Sequence, residues 1–463
     1  MKRIDTMLLR PSSLVSRLSA LVSRLSPLVF SLVTLSLSAQ DAVHEGPWSL
    51  SDCIDYALEH NITVQQSRLS VLQSETELSS ARARRLPGLS AGASQNYSFG
   101  RGLTEDNTYS HTNTTNTSFS VGADVPVFQG FTLRNNVALS RLNLEAATID
   151  LEKARDDIRI AVAQAYVQVL YNREILAVAE EQVALDSLQV ARLAAMYANG
   201  KASSSEVSAQ EATLAQSRLS AIQAQGNLEL ALLDLTQLLE LPSAEGFTIV
   251  PPSSVTPDVT QTFSADAIYA EASQVWPSLR SERVRLQSSE KNIAIAKGGG
   301  LPSLSLSGGM GSNYYTASGG ASGSFGTQLK DNFSQYIGLS LSVPLFDRLA
   351  TRCSVRQAQL AYRSQELQLE NAGKALYKEI QQACCNAATA RSRYEGSLAA
   401  EKSAREAFVL ISAKYEHAKA NITEYNEAKN RLVQAASDRT QARWQYLYQT
   451  RLLDFYRGAD IVF

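Results

Sequence analysis

Twice in this chain a strand-like alternation runs, almost without a loop, into helical periodicity lasting about sixty residues. The first case is "GADVPVFQGFTLRNNV" (Gly122–Val137) and the second is "GLSLSVPLFDRLATRCSV" (Gly338–Val355). In the first helical stretch Val162, Val169, Leu176, Val183, Val190 and Tyr197 recur every seven residues, and Leu144, Leu151, Ile158 and Ala165 form a second seam. A sustained seven-residue repeat demands coiled-coil packing. From Phe131 to Tyr197 such a helix measures about 100 Å at ~1.5 Å per residue, more than one small globular core can bury.

The chain is also written twice. "RRLPGLSAGASQNYSFG" (Arg84–Gly100) answers "GGLPSLSLSGGMGSNYY" (Gly299–Tyr315), with the Leu-Pro pairs 215 residues apart. "VPVF" (Val125–Phe128) answers "VPLF" (Val343–Phe346) at 218, and at that offset Tyr197, Lys201 and Glu206 fall on Tyr415, Lys419 and Glu424. Matching motifs at a nearly constant offset point to duplication. Each half reads helix, strand, loop, strand, long helix, turn, helix. Asn199-Gly200 supplies a left-handed stop, and Ser203 with Glu206 fits a capping box for the return helix, which runs to about Leu239. In the second half, Arg348 to Tyr415 is the long helix and the return helix starts at Thr423. The expected division is a first repeat at 40–240, a Pro/Ser/Thr-rich linker at 241–264 and a second repeat at 265–463.

The four strand segments alternate strictly. Leu89, Ala91, Ala93, Tyr97 and Phe99 oppose serines and a glycine, with Asn96; Phe119, Val121, Ala123, Val125 and Val127, with Asp124 on the facing side, oppose serines and a glycine. So do Leu304, Leu306 and Met310, and Ile337, Leu339, Leu341, Val343 and Leu345. Each segment runs roughly ten residues, the length of a tilted strand crossing a bilayer. A soluble sheet with one wet face is the ordinary reading of such alternation. Here no second β-layer is available to cover the apolar face, and the polar face is almost wholly Ser, Gly and Asn, as suits a lumen. Four strands cannot close a transmembrane barrel, which needs about eight, and an open edge in lipid leaves backbone groups unpaired. Several chains must therefore pool their strands. The switch from strand to helix is then the place where the membrane ends, with Pro87, Pro126, Pro302 and Pro344 at the junctions, where a missing ladder donor is tolerable.

The N-terminus supports export. Lys2, Arg3, Arg10, Arg17 and Arg24 precede the apolar "PLVFSLVTLSLSA", which reads as a secretory signal over residues 1–39, with Met7 an alternative start. The run is too short for a spanning helix. With 43 basic and 45 acidic residues the chain has no basic excess for nucleic acid. Its four cysteines (Cys53, Cys353, Cys384, Cys385) read as small buried thiols, and its four histidines form no metal-ligand cluster. There is no nucleophile–base constellation and no phosphate loop, so neither an enzyme nor a cofactor is expected.

With the duplication, the paired "LP" and "VPVF/VPLF" junctions and the turns "YANGKASSSEV" and "YEHAKANITEY", the chain resembles the TolC family of outer-membrane efflux proteins over nearly all of the mature sequence. The resemblance implies a mainly α fold with β: a homotrimer whose twelve-stranded transmembrane barrel, four strands per chain, continues into a periplasmic α-helical barrel. It implies an exit duct of an efflux or type I secretion system in the outer membrane, served by a periplasmic adaptor protein and an inner-membrane pump. Carried over from the family, the periplasmic gate falls on Glu424 and Glu427, nine and twelve positions after Tyr415, with Ser205 and Glu206 as the hydroxyl–acid pair of the first tip. The tip turns that would meet the adaptor are Asn199, Gly200 and Lys201, and Lys419, Ala420 and Asn421. The family's gate arginine is replaced by Ala420, with Lys419 beside it, so the closing network is weaker or differently built. Glu206 and Glu424 also fit as helix-start caps of Ser203 and Asn421. A trimeric surface stalk or adhesin is the alternative; it would place helices in one block and strands at one end, unlike the interleaved order here.

Overall fold

The computed structural model describes residues 46–103, 108–111, 113–252, 258–261, 263–317, 323–417 and 419–462. The signal segment at residues 1–39 lies outside them. Both repeats belong to one compact unit, Trp48–Phe463. The first repeat contains α1 (Leu50–His60), α2 (Ile62–Ala83), β1 (Gly88–Ser98), a small hairpin of β2 (Arg101–Leu103) and β3 (Tyr109–His111), β4 (Thr114–Gln129), α3 (Thr132–Ala198) and α4 (Ser204–Leu238). The second contains α5 (Ala265–Val275), α6 (Pro277–Gly298), β5 (Ser303–Ala317), α7 (Phe325–Asp331), β6 (Ser334–Ser342), α8 (Ala350–Glu416) and α9 (Ile422–Tyr456). Corresponding helices match in length: 11 and 22 residues for the short pairs, 67 and 35 for the long ones.

Paired left-handed residues let a strand become a helix without a loop. Gly130 and Phe131, immediately before α3, have φ of 56° and 63°; Arg348 and Leu349, before α8, have 55° and 65°. The three that are not glycine each cost roughly 1–2 kcal/mol. Gly130 has a second reason to be glycine, because a Cβ there would lie 2.3 Å from the Gly298 carbonyl oxygen. The end of α6 and the start of α3 therefore touch backbone to backbone, locking the two repeats together where the sheet meets the helices. The expected prolines are near these switches but do not make them. Pro126 lies inside β4, paired with Ser305, and the register slips between Pro126 and Phe128. That bulge leaves Val127 as the extra residue and turns Phe128 onto the face of its partner Leu304, ending the alternation one residue early.

The strands form one antiparallel sheet in the order β1-β4-β5-β6. Its register lines up the apolar positions: Leu89, Ala123, Gly308 and Ile337 form one row, and Val125, Leu306 and Leu339 the next. Ser90, Gly122, Gly309 and Tyr336 form a row on the other face, as do Asp124, Ser307 and Gly338. Ile337 is 86% exposed and Leu345 93%. No described helix is long and apolar enough to cross a membrane. The second strand-to-strand connection, read from the sequence as a loop, carries the short helix α7. Ser324 caps it, and Gln328 ties it to β5 through both backbone groups of Tyr315.

Below the sheet the helices pack as a row. α3 lies beside α4, α6, α2 and α9, while α8 lies beside α9 and α6. Near the sheet the order is α2-α3-α6-α8, and further away it is α4-α3-α9-α8. The main core forms where they change over. Val162, Tyr166, Val169 and Leu170 of α3 meet Leu235 of α4, Cys53 of α1, Phe247 and Ile249 of the linker, and Trp444 and Leu447 of α9. The described linker residues lie against α3 and α9 as a strap. Tyr166 Oη donates to the Val250 carbonyl at 2.5 Å, and Tyr446 Oη donates to that of Asp258 at 2.7 Å. Of the heptad seams, Val162 and Val169 are buried but Tyr197 is 53% exposed, because a helix of 3.6 residues per turn drifts off a strict seven-residue repeat. The cysteines correct the sequence reading. Cys53 is buried, with burial raising its thiol to about 12, but Cys353 and Cys385 are exposed and Cys384 is half-buried.

Candidate functional site: the tips of the helical hairpins

Each long helix ends in a turn that hands the chain to its return helix. At the first tip Gly200 adopts φ 72°, and the Lys201 amide donates to the Met196 carbonyl at 2.9 Å, closing a left-handed C-terminal motif. Ser203 then caps α4. Its hydroxyl and amide both donate to the Glu206 carboxylate, at 2.9 and 2.7 Å, and the Glu206 amide donates back to the Ser203 hydroxyl. At the second tip the Lys419 amide donates to the Lys414 carbonyl at 2.7 Å. Asn421 and Glu424 form the matching box, amide to side chain in both directions. Asn199, Gly200, Lys201, Lys419 and Asn421 are exposed and Ala420 is half-buried.

Within one chain, then, Glu206 and Glu424 act as helix caps. The hydroxyl partner of Glu206 is Ser203; Ser205 is exposed in the first turn of α4. The Glu206 carboxyl is held below the ordinary glutamate range by the backbone and hydroxyl hydrogen bonds of Ser203. Glu427 is not left to crowd Glu424: Arg431, four residues on, donates to it at 2.6 Å. Nothing in the gate spacing singles out Arg431, although an acid four residues before a base is an ordinary helical pair.

Tyr415 is tied down by residues the sequence did not single out. Its ring centroid lies 5.0 Å from that of Tyr425, and the Arg192 guanidinium stands 5.1 Å from its centre. Burial raises the Tyr415 phenol above its usual range, against the opposing pull of Arg192 and Gln189. Arg192, on α3, thus brings a cation to the tyrosine from the opposite repeat, where Ala420 cannot.

Two turns deeper, a buried polar cluster joins three helices. Asp186 of α3 is 0% exposed and forms an ion pair with Lys429 of α9, itself 1% exposed. Gln210 and Ser217 of α4 donate to the same carboxylate at 3.2 and 2.5 Å, and Asn426 of α9 donates to Gln210 at 3.0 Å. Under the 218-residue offset Asp186 corresponds to Ala404 and Lys429 to Glu211. This break in the duplication is the one sequence signal that could have exposed the pair. Among the described residues no group of three or more His, Cys, Asp and Glu could hold a metal ion.

An exposed-faced sheet carried by two equal helical hairpins is the protomer architecture of known outer-membrane channels. The outer membrane protein VceC of Vibrio cholerae superposes with a TM-score of 0.74 at 17% identity, over 89% of this chain and 97% of that one. The CmeC outer membrane channel of Campylobacter jejuni gives 0.74 at 19%, over 89% and 87%. The family model described as outer membrane efflux protein matches residues 53–240 and 268–459, and the chain belongs to that family. Among its relatives are the outer membrane protein TolC of Escherichia coli, 24% identical over 90% of this chain and 83% of that protein, and the protein CyaE of Bordetella pertussis, 25% identical over 76% and 71%. TolC of Vibrio cholerae is 30% identical over a shorter stretch, 40% of this chain and 42% of that protein. The chain is therefore an outer-membrane exit duct of a transport family; the surface-stalk alternative has no support in these likenesses.

Proposed function

We propose that the duct is a homotrimer that passes solutes from an inner-membrane pump, through a periplasmic adaptor, to the exterior. One observation carries the oligomer: the sheet has two unpaired edges, β1 and β6, and a bare apolar face. Twelve strands from three chains would pair every edge and satisfy the backbone in lipid. The helical row has matching open ends. Leu219, Ile222, Leu230 and Leu233 of α4 are exposed on one side, and Leu360, Leu367, Val409 and Leu410 of α8 on the other. Native mass in mild detergent tests this. Three chains per particle are expected; a single chain with its β signal intact would refute it.

The tips form the periplasmic gate in this reading, with Tyr415, Glu424, Glu427, Ser205 and Glu206 around its axis. Lys201, Lys419 and their turn neighbours meet the adaptor, which their exposure favours. Arg192 on Tyr415 and the buried Asp186–Lys429 pair hold the hairpin of one repeat to that of the other, and supply the closing network that Ala420 lacks.

A further inference from the structure

Between α3 and α9, on the side away from the linker strap, lies a cavity of about 360 Å³. Gln164, Gln168 and Tyr171 stand about half a turn around α3 from Tyr166, the residue that holds the strap. Gln441, Trp444 and Tyr448 stand similarly opposite Tyr446 on α9. The lining holds five glutamines, two tyrosines, a tryptophan and Arg393, and no carboxylate. Two of its polar atoms are buried without a partner: the Trp444 indole Nε1 and the Gln449 Oε1. Trp444 is only 4% exposed, so its N–H has been taken out of water. A buried donor and a buried acceptor left unmatched on one helix are costly unless something completes them.

We infer that this groove is a subsite for short peptides, or for an extended stretch of polypeptide, inside the duct. The indole N–H needs an acceptor and the Gln449 oxygen needs a donor. A secondary amide presents one of each, and the surrounding glutamine amides can extend the same pairing along a backbone. The tyrosine and tryptophan rings supply flat apolar walls, and Arg393 at the rim complements a terminal carboxylate. The lack of any carboxylate in the lining disfavours sugars, whose hydroxyl donors seek strong acceptors, and also organic cations. α3 and α9 are the two central helices of the row, so a neighbour joined at α4 or α8 does not cover the groove. With the strap on the other face, the groove opens toward the lumen, a placement that rests on the trimeric duct reading.

The test uses the full-length oligomer in detergent and N-acetyl-alanyl-alanine as probe, with calorimetry for affinity and tryptophan emission for location. Saturable binding is expected, with an emission change that Trp444→Phe removes. Binding should weaken roughly five- to tenfold in Gln449→Leu, and similarly for the ester analogue in which oxygen replaces the central N–H, the loss of one hydrogen bond. No saturable binding, equal binding of the ester, or an affinity indifferent to both substitutions would overturn the assignment. Tighter binding of N-acetylglucosamine than of the peptide would overturn it as well. Ion conductance of the same preparation reports the duct separately: oligomer that conducts but does not bind overturns the subsite alone.

Discussion

Replacing Lys429 with methionine should loosen the junction between the two helical hairpins far more than its single charge would suggest on a surface. Asp186 is fully buried, and without Lys429 it keeps only the Gln210 and Ser217 donors. Leaving one member of such a pair uncompensated costs about 3–5 kcal/mol, whereas replacing both with apolar residues of similar volume is near neutral or stabilising. The two residues are 243 positions apart, so the cost falls on the contact between repeats and not on either helix alone. A helical row of this length need not unfold in one step, so the effect is best read locally by hydrogen exchange. Amides of α9 around Tyr425–Arg431 and of α3 around Asp186 should exchange about 10²- to 10⁴-fold faster in Lys429→Met. The double variant Asp186→Leu with Lys429→Met should return to within about tenfold of the unmodified protein. A single variant that exchanges less than about tenfold faster, or a double variant as labile as the single, would refute the reasoning.

Three further outcomes are expected. Leu339→Arg should impair recovery of folded oligomer from the outer membrane, at about 2–4 kcal/mol for a cation near mid-bilayer, while Ser340→Arg on the opposite face is tolerated. Equal recovery would mean that the sheet's apolar face does not meet lipid. The first turn of α4 should be firm at neutral pH and loosen in acid. The Glu206 carboxyl sits below its ordinary 4.5, so its stabilisation is present above that value and lost as pH falls through the lower, folded one. Glu206→Gln should flatten this dependence when exchange at residues 203–208 is followed against pH. In planar bilayers, multivalent cations should block the channel from the periplasmic side. Arg431→Ala should deepen the block by freeing Glu427, and the double change Glu424→Gln with Glu427→Gln should nearly abolish it; a block unchanged in both would leave these acids as helix-end residues.

Local pattern and internal repetition made most of the architecture readable in advance. Alternation gave the four strands, the heptads gave the long helices, and the capping pairs Ser203–Glu206 and Asn421–Glu424 gave the tips; all of these are written within a few residues of where they act. What escaped was either conformational or long-range. Nothing about Arg348 and Leu349 announces a left-handed pair, since the conformation is imposed by the strand and helix on either side and not preferred by the residues. Helix α7 is a single short helix inside a glycine-rich connection. Arg192 on Tyr415 and Lys429 on Asp186 each join different repeats, and one-dimensional spacing carries no trace of such contacts beyond the positions where the duplication breaks. Glu206, Glu424 and Glu427 were legible as residue types, but their immediate partners, Ser203, Asn421 and Arg431, make them first of all parts of helix ends.

The equal lengths of the paired helices set a rule for how this gene can change. Deleting one residue from α3 would retract its tip by about 1.5 Å and rotate everything beyond the deletion by about 100°, turning buried positions outward. The other hairpin would keep its old length, and the two tips would no longer stand level. The long helices can thus drift by substitution but hardly by insertion or deletion. The sheet end is free of that constraint: β4 and β6 differ, with 16 and 9 residues. The offset between repeats also grows from 215 before the strands to 218 after them. All of the net length difference between the copies has accumulated at the end where the chain turns back in strands and loops. That end is accordingly the place to graft an epitope tag or label, while the tips are the place where a single added residue would be felt.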